Sequence, residues 1–600
     1  MNDENYPRTL HELLVRQAVT YGKAPALVVP NGTALSYDGL LLEVKRTVAV
    51  LASAGIGRGT RVAMSFPNGA DALVLTLALM AGAACVPMNP ALDPFTCDSL
   101  LRKLRVTALI APEGAETPAV ASARLLGLHL LRLVPRRNGV AGAFDLRAET
   151  PGHSVLQAWP QPQDLAILFQ TSGTTAQPKT VPLTQAQVTA RSRAQPITSD
   201  DVCLFVPPMY TAGAMAHSML APLAAGARIA FPRGPGEVAL LDAIEGLEVT
   251  YFSANPAAFV SLLERLAERP SNRFASLRFI RSAGSALTSA LQLRVEEAFR
   301  VPVIQGYGIS EVGTIAGNPL PPGRRKHGSV GLSVGPDIAI ADESGERLGS
   351  NMTGEIVVRS PGVTSGYEND PGADRDAFRD GWFRTGDLGH LDEDGYLFVT
   401  GRIKEVINRG GFKVSPAEVD AALLCHPGVL DAAAFGVDHP TLGEDVAAAV
   451  VIRDHGKISP QQLREFALEQ LAAYKVPSTI VFVPALPKNA ARKTDRKALA
   501  RDLESARCRG FVPPRNAQEE LVATLFAQVL GVERVGANDN FFDLGGDSLR
   551  GMRVITRVNQ ALGSNLVVAS LFRWPTVADL AAAITAGSLA QDRSSPVPSA

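Results

Sequence analysis

From residue 8 to about 340 the chain alternates between helix-spaced segments and short apolar runs, and this alternation constrains the fold more than any other feature. HELLVRQAVTYG and YDGLLLEVKRTVAVLASAG place apolar residues three and four apart, as an amphipathic helix requires. RVAMSF, CLFVPP, ARIAFP and LRFIRSAG are short, apolar and bounded by turn residues, as buried strands are. Strands and helices in alternation bury their apolar faces best as an α/β architecture with largely parallel sheets. The 600 residues exceed what one core can hold, and length alone predicts roughly four domains of about 150 residues each.

Further along, the texture changes. Between 340 and 400, IAIADESGERLG, GEIVVRS and GYLFVTGRI read as hairpin strands with Gly and Asp at the turns, and residues 404 to about 500 carry their own strand and helix signals. GFVPPRNAQ, with Pro513 and Pro514, reads as an interdomain linker. From 518 to 587 the pattern is entirely helical, in EELVATLFAQVLG, DSLRGMRVITRVNQALG and VADLAAAITAG. The closing SLAQDRSSPVPSA has the composition of a disordered tail. There are no internal repeats.

Composition excludes several function classes. Lys and Arg total 58 against 59 Asp and Glu, a net charge of −1, which gives no electrostatic case for nucleic acid or an anionic membrane. The N-terminal MNDENYPRTLHELL is polar and acidic where a secretory leader is basic and then apolar, so a cytoplasmic protein is expected. ALVLTLALMAGAACVPM is interrupted by Thr76, Gly82 and Pro87, and reads as a buried helix entering a buried strand rather than a membrane span. Cys85, Cys97, Cys203, Cys425 and Cys508 show neither a CxxC nor a Cys/His ligand spacing, so they are expected as reduced thiols.

Two stretches carry chemistry. In AILFQTSGTTAQPKTVPLT an apolar run ends at Phe169 and opens into Thr171, Ser172, Gly173, Thr174 and Thr175, followed by Lys179. Hydroxyls and amides on a small-residue turn suit phosphate oxygens, with lysine adding charge. The stretch is not a Walker loop, and taken alone it leaves phosphate binding and a polar surface loop equally open. In FFDLGGDSLRGM, Ser548 stands behind Gly546, but Arg550 occupies the position where a nucleophile elbow needs its second glycine. Taken alone, Ser548 is equally a helix cap.

GYGISE (306 to 311), the long block GWFRTGDLGHLDEDGYLFVTGRIKEVINRGGFKVSPAEVD and LPKNAARKTDRKAL complete the set. Together, over residues 8 to 505, these motifs resemble the adenylate-forming superfamily of acyl-CoA synthetases, peptide-synthetase adenylation domains and beetle luciferases. The helical segment around GGDSL is similar to acyl and peptidyl carrier proteins. The resemblance implies a large α/β adenylation domain (1–403), a small mobile α+β subdomain (404–507), a linker (508–516), an all-α four-helix carrier (517–588) and a disordered tail (589–600).

It also implies a reaction. A carboxylate resists nucleophiles because its leaving group would be oxide; an AMP ester supplies a better one, after which the acyl group passes to a thiol. Two anions meet in the first step, so cations must neutralise the developing charge. By resemblance, Thr171, Ser172, Gly173, Thr174, Thr175 and Lys179 hold the triphosphate. Tyr307 stacks on adenine in a site lined by Gly284, Ser285 and Ala286. Ser310 keeps the hydroxyl of the family's usual Thr, and Glu311 holds Mg²⁺. Asp387 takes a ribose hydroxyl, and Arg402 lies near the ribose–phosphate. Lys493 is the adenylation lysine. Lys404 is the hinge about which the small domain exchanges Lys493 for a thiol-accepting face containing Gly410 and Gly411. Ser548 carries 4'-phosphopantetheine, installed by a phosphopantetheinyl transferase. Departures from the family pattern are Ala176 and Thr180 for Gly, Gln185 for His, and Arg492 for Gly; altered loop dynamics are expected from them.

The stretch VPPMYTAGAMAHSMLAPLAAGA (206 to 227) contains no acidic residue to pair with an α-ammonium, and an unpaired buried ammonium costs several kcal/mol. A carboxylic acid without an α-amino group is therefore expected. Tyr210, His217 and Phe252 either line its pocket or belong to the core. Three readings stay open: loading of the chain's own carrier for a downstream condensation, ketosynthase or tailoring enzyme; a CoA ligase whose carrier takes other cargo; and an inactive scaffold.

Overall fold

A computed structural model describes residues 6–136, 139–149, 153–171, 179–192, 196–268, 274–439, 441–453, 458–488, 494–509, 511–542, 544, 546 and 548–592. They form two compact units, Met1–Val399 and Thr400–Ala600.

The first unit is built on sheets flanked by helices. Its first helix, Leu10–Tyr21, opens on a capping box in which Thr9 and Glu12 satisfy each other's backbone amides. The apolar stretch forms the helix Ala70–Gly82 and the strand Ala84–Met88, both buried almost throughout. At 13 residues that helix spans about 20 Å, short of the ~30 Å hydrocarbon core, and no described helix is long and apolar enough to cross a membrane. A seven-stranded sheet pairs Arg61–Ser65, Ala84–Met88, Ala108–Pro112 and His129–Pro135 in parallel. At its far side, Leu165–Gln170 and Thr180–Thr184 pair antiparallel, so the hydroxyl-rich stretch joins two hydrogen-bonded strands.

A nine-stranded sheet positions the site. Val202–Leu204, Tyr251–Ala254, Phe279–Ser282 and Val303–Ile309 run parallel at its centre. Phe252 lies in an apolar cluster with Phe259, Ile280 and Phe299, its ring 6.0 Å edge-on from that of Phe299. Of the two readings open for Phe252, pocket wall or core, its packing matches the core one: it is fully buried in that cluster, and its neighbour Ser253 points to the opposite face. The hairpin texture after residue 340 is Asp337–Ala341, Gly354–Arg359 and Trp382–Leu391 in antiparallel register.

The second unit begins with a hairpin of Ile407–Arg409 and Phe412–Val414, whose turn is Gly410–Gly411 at φ +58° and +91°. The long strands Val429–His439 and Gly443–Ile452 follow, with Thr479–Phe482 added in parallel. The helix Arg496–Arg509 covers the first two positions expected as linker. Ala517–Leu530, Ser548–Leu562, Ala569–Arg573 and Val577–Asp592 make the four helices of the carrier. The last of these keeps 589–592 helical; the rest of the expected tail, 593–600, lies outside the described residues. The buried Phe541 ring meets Phe526 at 5.0 Å and Phe542 at 5.4 Å, both edge-on, which accounts for the paired Phe before the serine. Gly546 is required by the same ring: a Cβ there would lie 2.3 Å from Phe541.

Candidate nucleotide and acyl site

The site residues sit where the parallel strands of the nine-stranded sheet end, the usual place for a ligand in such sheets. Phe279–Ser282 runs out into Gly284, Ser285 and Ala286, which are exposed, with open space beside Gly284 at φ +94°. Val303–Ile309 carries Tyr307 and delivers Ser310 and Glu311. Gly308 has no room for a side chain, since a Cβ would meet the Gly313 carbonyl at 2.3 Å. Tyr307 and Asp387 come together, the phenol donating to Asp387 Oδ2 at 2.6 Å.

Glu311 is held by two groups that the sequence did not single out. The Tyr367 hydroxyl donates to its Oε1 at 2.8 Å. The Tyr367 ring also stacks under Lys179, whose ammonium is 4.3 Å from the ring centre. Lys179, Tyr367 and Glu311 thus form one connected group. Behind it, buried Arg191 donates to the carbonyls of Gly362 (2.8 Å), Ser310 (2.9 Å) and Glu311 (2.8 Å). Burial draws the Arg191 guanidinium down to about 9, while the Glu311 charge opposes the shift. No motif marks Arg191 or Tyr367, because each acts across more than fifty residues of chain.

Two departures from the family pattern have structural explanations. Gln185 is buried, donates to the Met80 carbonyl at 2.6 Å and accepts from the Leu10 amide at 3.1 Å. Thr180, also buried, is bonded to Gln170 across the strand pair at 3.0 Å. Ser172, Gly173, Thr174, Thr175 and Ala176, together with Arg492 and Lys493, lie outside the described residues. In the second unit, Arg402 ends the strand Leu397–Arg402 and Lys404 is exposed on the 3-10 turn Ile403–Glu405. Lys404 follows the boundary between the units, which falls at Val399 and Thr400. Ser548 is the first residue of the carrier's Ser548–Leu562 helix; Asp547 and the Ser548 side chain lie outside the described residues.

The acyl-pocket candidates part company. Tyr210 is half-buried in a turn, and His217 is buried within a π-helical turn, Met215–Leu220. Such turns are rare and occur frequently at functional sites. His217 Nδ1 accepts from Arg281 at 2.5 Å, and its Nε2 lies 3.4 Å from the Thr314 hydroxyl. Burial, reinforced by the Arg281 charge, pushes the imidazole well below its ordinary value, so it is neutral at pH 7.

The residues present fit a nucleotide and a divalent cation. Gly284–Ala286 leave an exposed strip, and Glu311 Oε2 has no hydrogen-bond partner among the described residues, a free hard oxygen of the kind Mg²⁺ takes. No cluster of three His, Cys, Asp or Glu side chains placed to hold a metal exists among the described residues.

An α/β ligand-binding unit, a small α+β domain and a four-helix carrier define a class: an enzyme that activates acids with a nucleotide, joined to its own carrier. Comparison with known proteins makes the assignment specific. Residues 14–368 match the model of AMP-binding enzymes, 418–493 that of the AMP-binding enzyme C-terminal domain, and 520–584 that of the phosphopantetheine attachment site. The chain is 35% identical over 504 residues to a probable CoA ligase, CCL9, of Humulus lupulus, covering 82% of this chain and 96% of that one. It is 34% identical to an oxalate–CoA ligase of Arabidopsis thaliana, over 82% and 98% of the two chains. ATP-bound MatB from Rhodopseudomonas palustris superposes with a TM-score of 0.73 at 27% identity, covering 83% of this chain and 99% of that one. The chain belongs to the AMP-binding enzyme family, as an AMP-forming acid–thiol ligase with a C-terminal phosphopantetheine carrier domain.

Proposed function

We propose that the chain activates a carboxylic acid lacking an α-amino group as its acyl-adenylate and transfers the acyl group to the phosphopantetheine arm on Ser548 of its own carrier. This serves as a cytoplasmic loading step for polyketide- or peptide-type assembly. The observation that carries the reading is the order of the three family segments in one polypeptide, activation before acceptor. The absence of any acidic residue over 206–227 supports the substrate class. So do relatives whose names specify acids without an α-amino group, oxalate among them.

In this reading 1–403 binds ATP and acid, 404–507 supplies Lys493 and turns about Lys404, 508–516 links, and 517–588 is the carrier. Thr171–Thr175 and Lys179 hold the phosphates, and Glu311 holds Mg²⁺. Tyr307, Ser310, Asp387, Arg402 and the Gly284–Ala286 strip hold the nucleoside. The attached arm supplies a thiol, so Ser548 is an anchor and not a nucleophile toward the acid.

Intact-mass measurement of the full chain after treatment with a phosphopantetheinyl transferase, ATP, Mg²⁺ and a panel of acids tests the reading. A mass increase of arm plus acyl group on the wild type, absent from Ser548→Ala, is expected. Acylation of free CoA with no acyl mass on the carrier overturns it in favour of a CoA ligase, the reading that the named CoA ligases among the relatives support.

A further inference from the structure

Lys179 and Glu311 carry opposite charges at one site, yet no ion pair joins them among the described residues. Both are half-buried, where charges are screened less by water and attract more strongly than at a surface. The other acids nearby are engaged. Glu368 pairs with Arg61 at 2.8 Å, and Asp374 Oδ1 accepts from the Tyr367 amide at 2.7 Å. Glu311 is therefore the carboxylate to which a loose Lys179 would turn. What stands in the way is Tyr367, whose ring centre lies 4.3 Å from the ammonium and whose hydroxyl donates to Glu311 Oε1 at 2.8 Å.

Tyr367 is placed by backbone bonds on both sides. Lys179 directly precedes the strand Thr180–Thr184, and residues 364–368 lie along it. The Glu368 amide donates to the Thr180 carbonyl at 3.0 Å, and the Thr364 hydroxyl to that of Pro182 at 2.8 Å. The Thr364 amide also donates to the Glu311 carbonyl at 2.8 Å. One short segment is thus tied both to the strand after Lys179 and to Glu311 itself. Gly366 permits the approach, since a Cβ there would lie 2.9 Å from Asp374 and its φ is +153°. Burial and the Glu311 charge hold the Tyr367 phenol far above its ordinary value, so it remains a donor at pH 7.

We propose that Tyr367 is a positioning residue that keeps Lys179 and Glu311 from neutralising each other before the nucleotide arrives. This rests on the reading that Lys179 holds phosphate and Glu311 holds Mg²⁺. A direct pair would spend the lysine's charge and fill the carboxylate that the metal needs. Against the ring, the ammonium is held only by a cation–π contact. Phosphate oxygens displace it, because a charge-assisted bond is stronger. The hydroxyl occupies Oε1 and leaves Oε2 for the cation. Both charges are held in place and both are easily released.

The test titrates the full chain with Mg²⁺ and ATP, without any acid, and reads the dissociation constant by calorimetry. Tyr367→Leu removes ring and hydroxyl and should weaken binding by on the order of tenfold, the scale of a charged hydrogen bond that must first be broken. Tyr367→Phe keeps the ring and should lose only about threefold. Lys179→Met should cost on the order of tenfold in the wild type. Added to Tyr367→Leu, whose lysine is already neutralised, it should cost no more than about twofold. Tyr367→Met, ringless and of similar reach, takes the place of Tyr367→Leu if that variant does not fold. Wild-type affinity in a folded ringless variant overturns the proposal, as do losses that add in full in the double variant. So does a Tyr367→Phe protein that loses as much as Tyr367→Leu, because the ring then separates nothing. The two failures are distinct: Lys179→Met binding like the wild type sinks the phosphate role of Lys179 and the separation with it, whereas a weakened Lys179→Met beside an unaffected Tyr367→Leu sinks the separation alone.

Discussion

Arg191 shows how one side chain can fix the backbone of the segment that carries Ser310 and Glu311. Its guanidinium spends its donors on the carbonyls of Gly362, Ser310 and Glu311; the Glu311 carbonyl also accepts from the Thr364 amide at 2.8 Å, while the other two would lose their partner among the described residues. An unsatisfied buried carbonyl costs about 1–3 kcal/mol, so Arg191→Ala should lower stability by roughly that much or more. It should also displace Glu311, raising the Mg²⁺ concentration needed for half-maximal pyrophosphate release; Arg191→Lys should recover part of both. Melting curves and a Mg²⁺ titration of the same protein check the two effects separately. Tyr367→Phe makes a narrower cut. It removes the 2.8 Å bond to Glu311 while keeping the ring under Lys179, so an unchanged melting temperature with a several-fold lower kcat/KM for ATP is the expected outcome.

Elements are held in place by groups at the opposite end from the chemistry. Asp201 is fully buried just before the strand Val202–Leu204. It accepts from the Thr198 amide at 2.9 Å, the Thr250 hydroxyl at 2.6 Å and Arg278 at 2.5 Å, tying together the starts of three neighbouring parallel strands. Burial alone would raise this carboxyl, but the bonds from Arg278, Thr250 and Thr198 outweigh burial and hold it below the usual carboxylate value. A depressed folded-state value contributes stability that is present above the unfolded value near 4 and lost as pH falls through the folded one. Asp201→Asn should therefore cost about 2 kcal/mol at pH 7, with the gap from wild type closing below about pH 4, as read from denaturant midpoints across pH. In the carrier, Gly546→Ala would drive a methyl group to within 2.3 Å of the Phe541 ring. Overpacking of this kind costs roughly 1–3 kcal/mol, enough to lower the carrier's melting transition measurably while the adenylation core keeps its own.

At the scale of the whole molecule the expected coupling is one-way. Ser548→Ala should abolish acyl mass on the carrier and leave acid-dependent pyrophosphate release within about twofold, because activation precedes the acceptor in the reaction order. Loss of both would mean that the carrier serine contributes to the adenylating unit itself. The second unit adds a feature to this scale: the carrier packs with the small α+β domain, and Arg464 reaches the Phe542 carbonyl at 3.4 Å as well as that of Ser478 at 3.0 Å.

The sequence by itself determined what is written locally. Periods of two and near four placed the strands and helices, Pro513–Pro514 marked the break before the carrier, and contiguous strings such as GYGISE and GGDSL carried the family chemistry. Such strings are legible because a loop that binds phosphate or presents a serine draws on neighbours in the chain. Tertiary structure alone decided Arg281 against His217, Arg191 beneath Glu311, Tyr367 between Lys179 and Glu311, and Phe252 as core. Each of these depends on which strands lie side by side and which face a side chain takes. A π-helical turn carries His217, and parallel pairing sets Ser253 beside Arg281. Contacts of that kind join residues dozens of positions apart, where no spacing in the sequence records them.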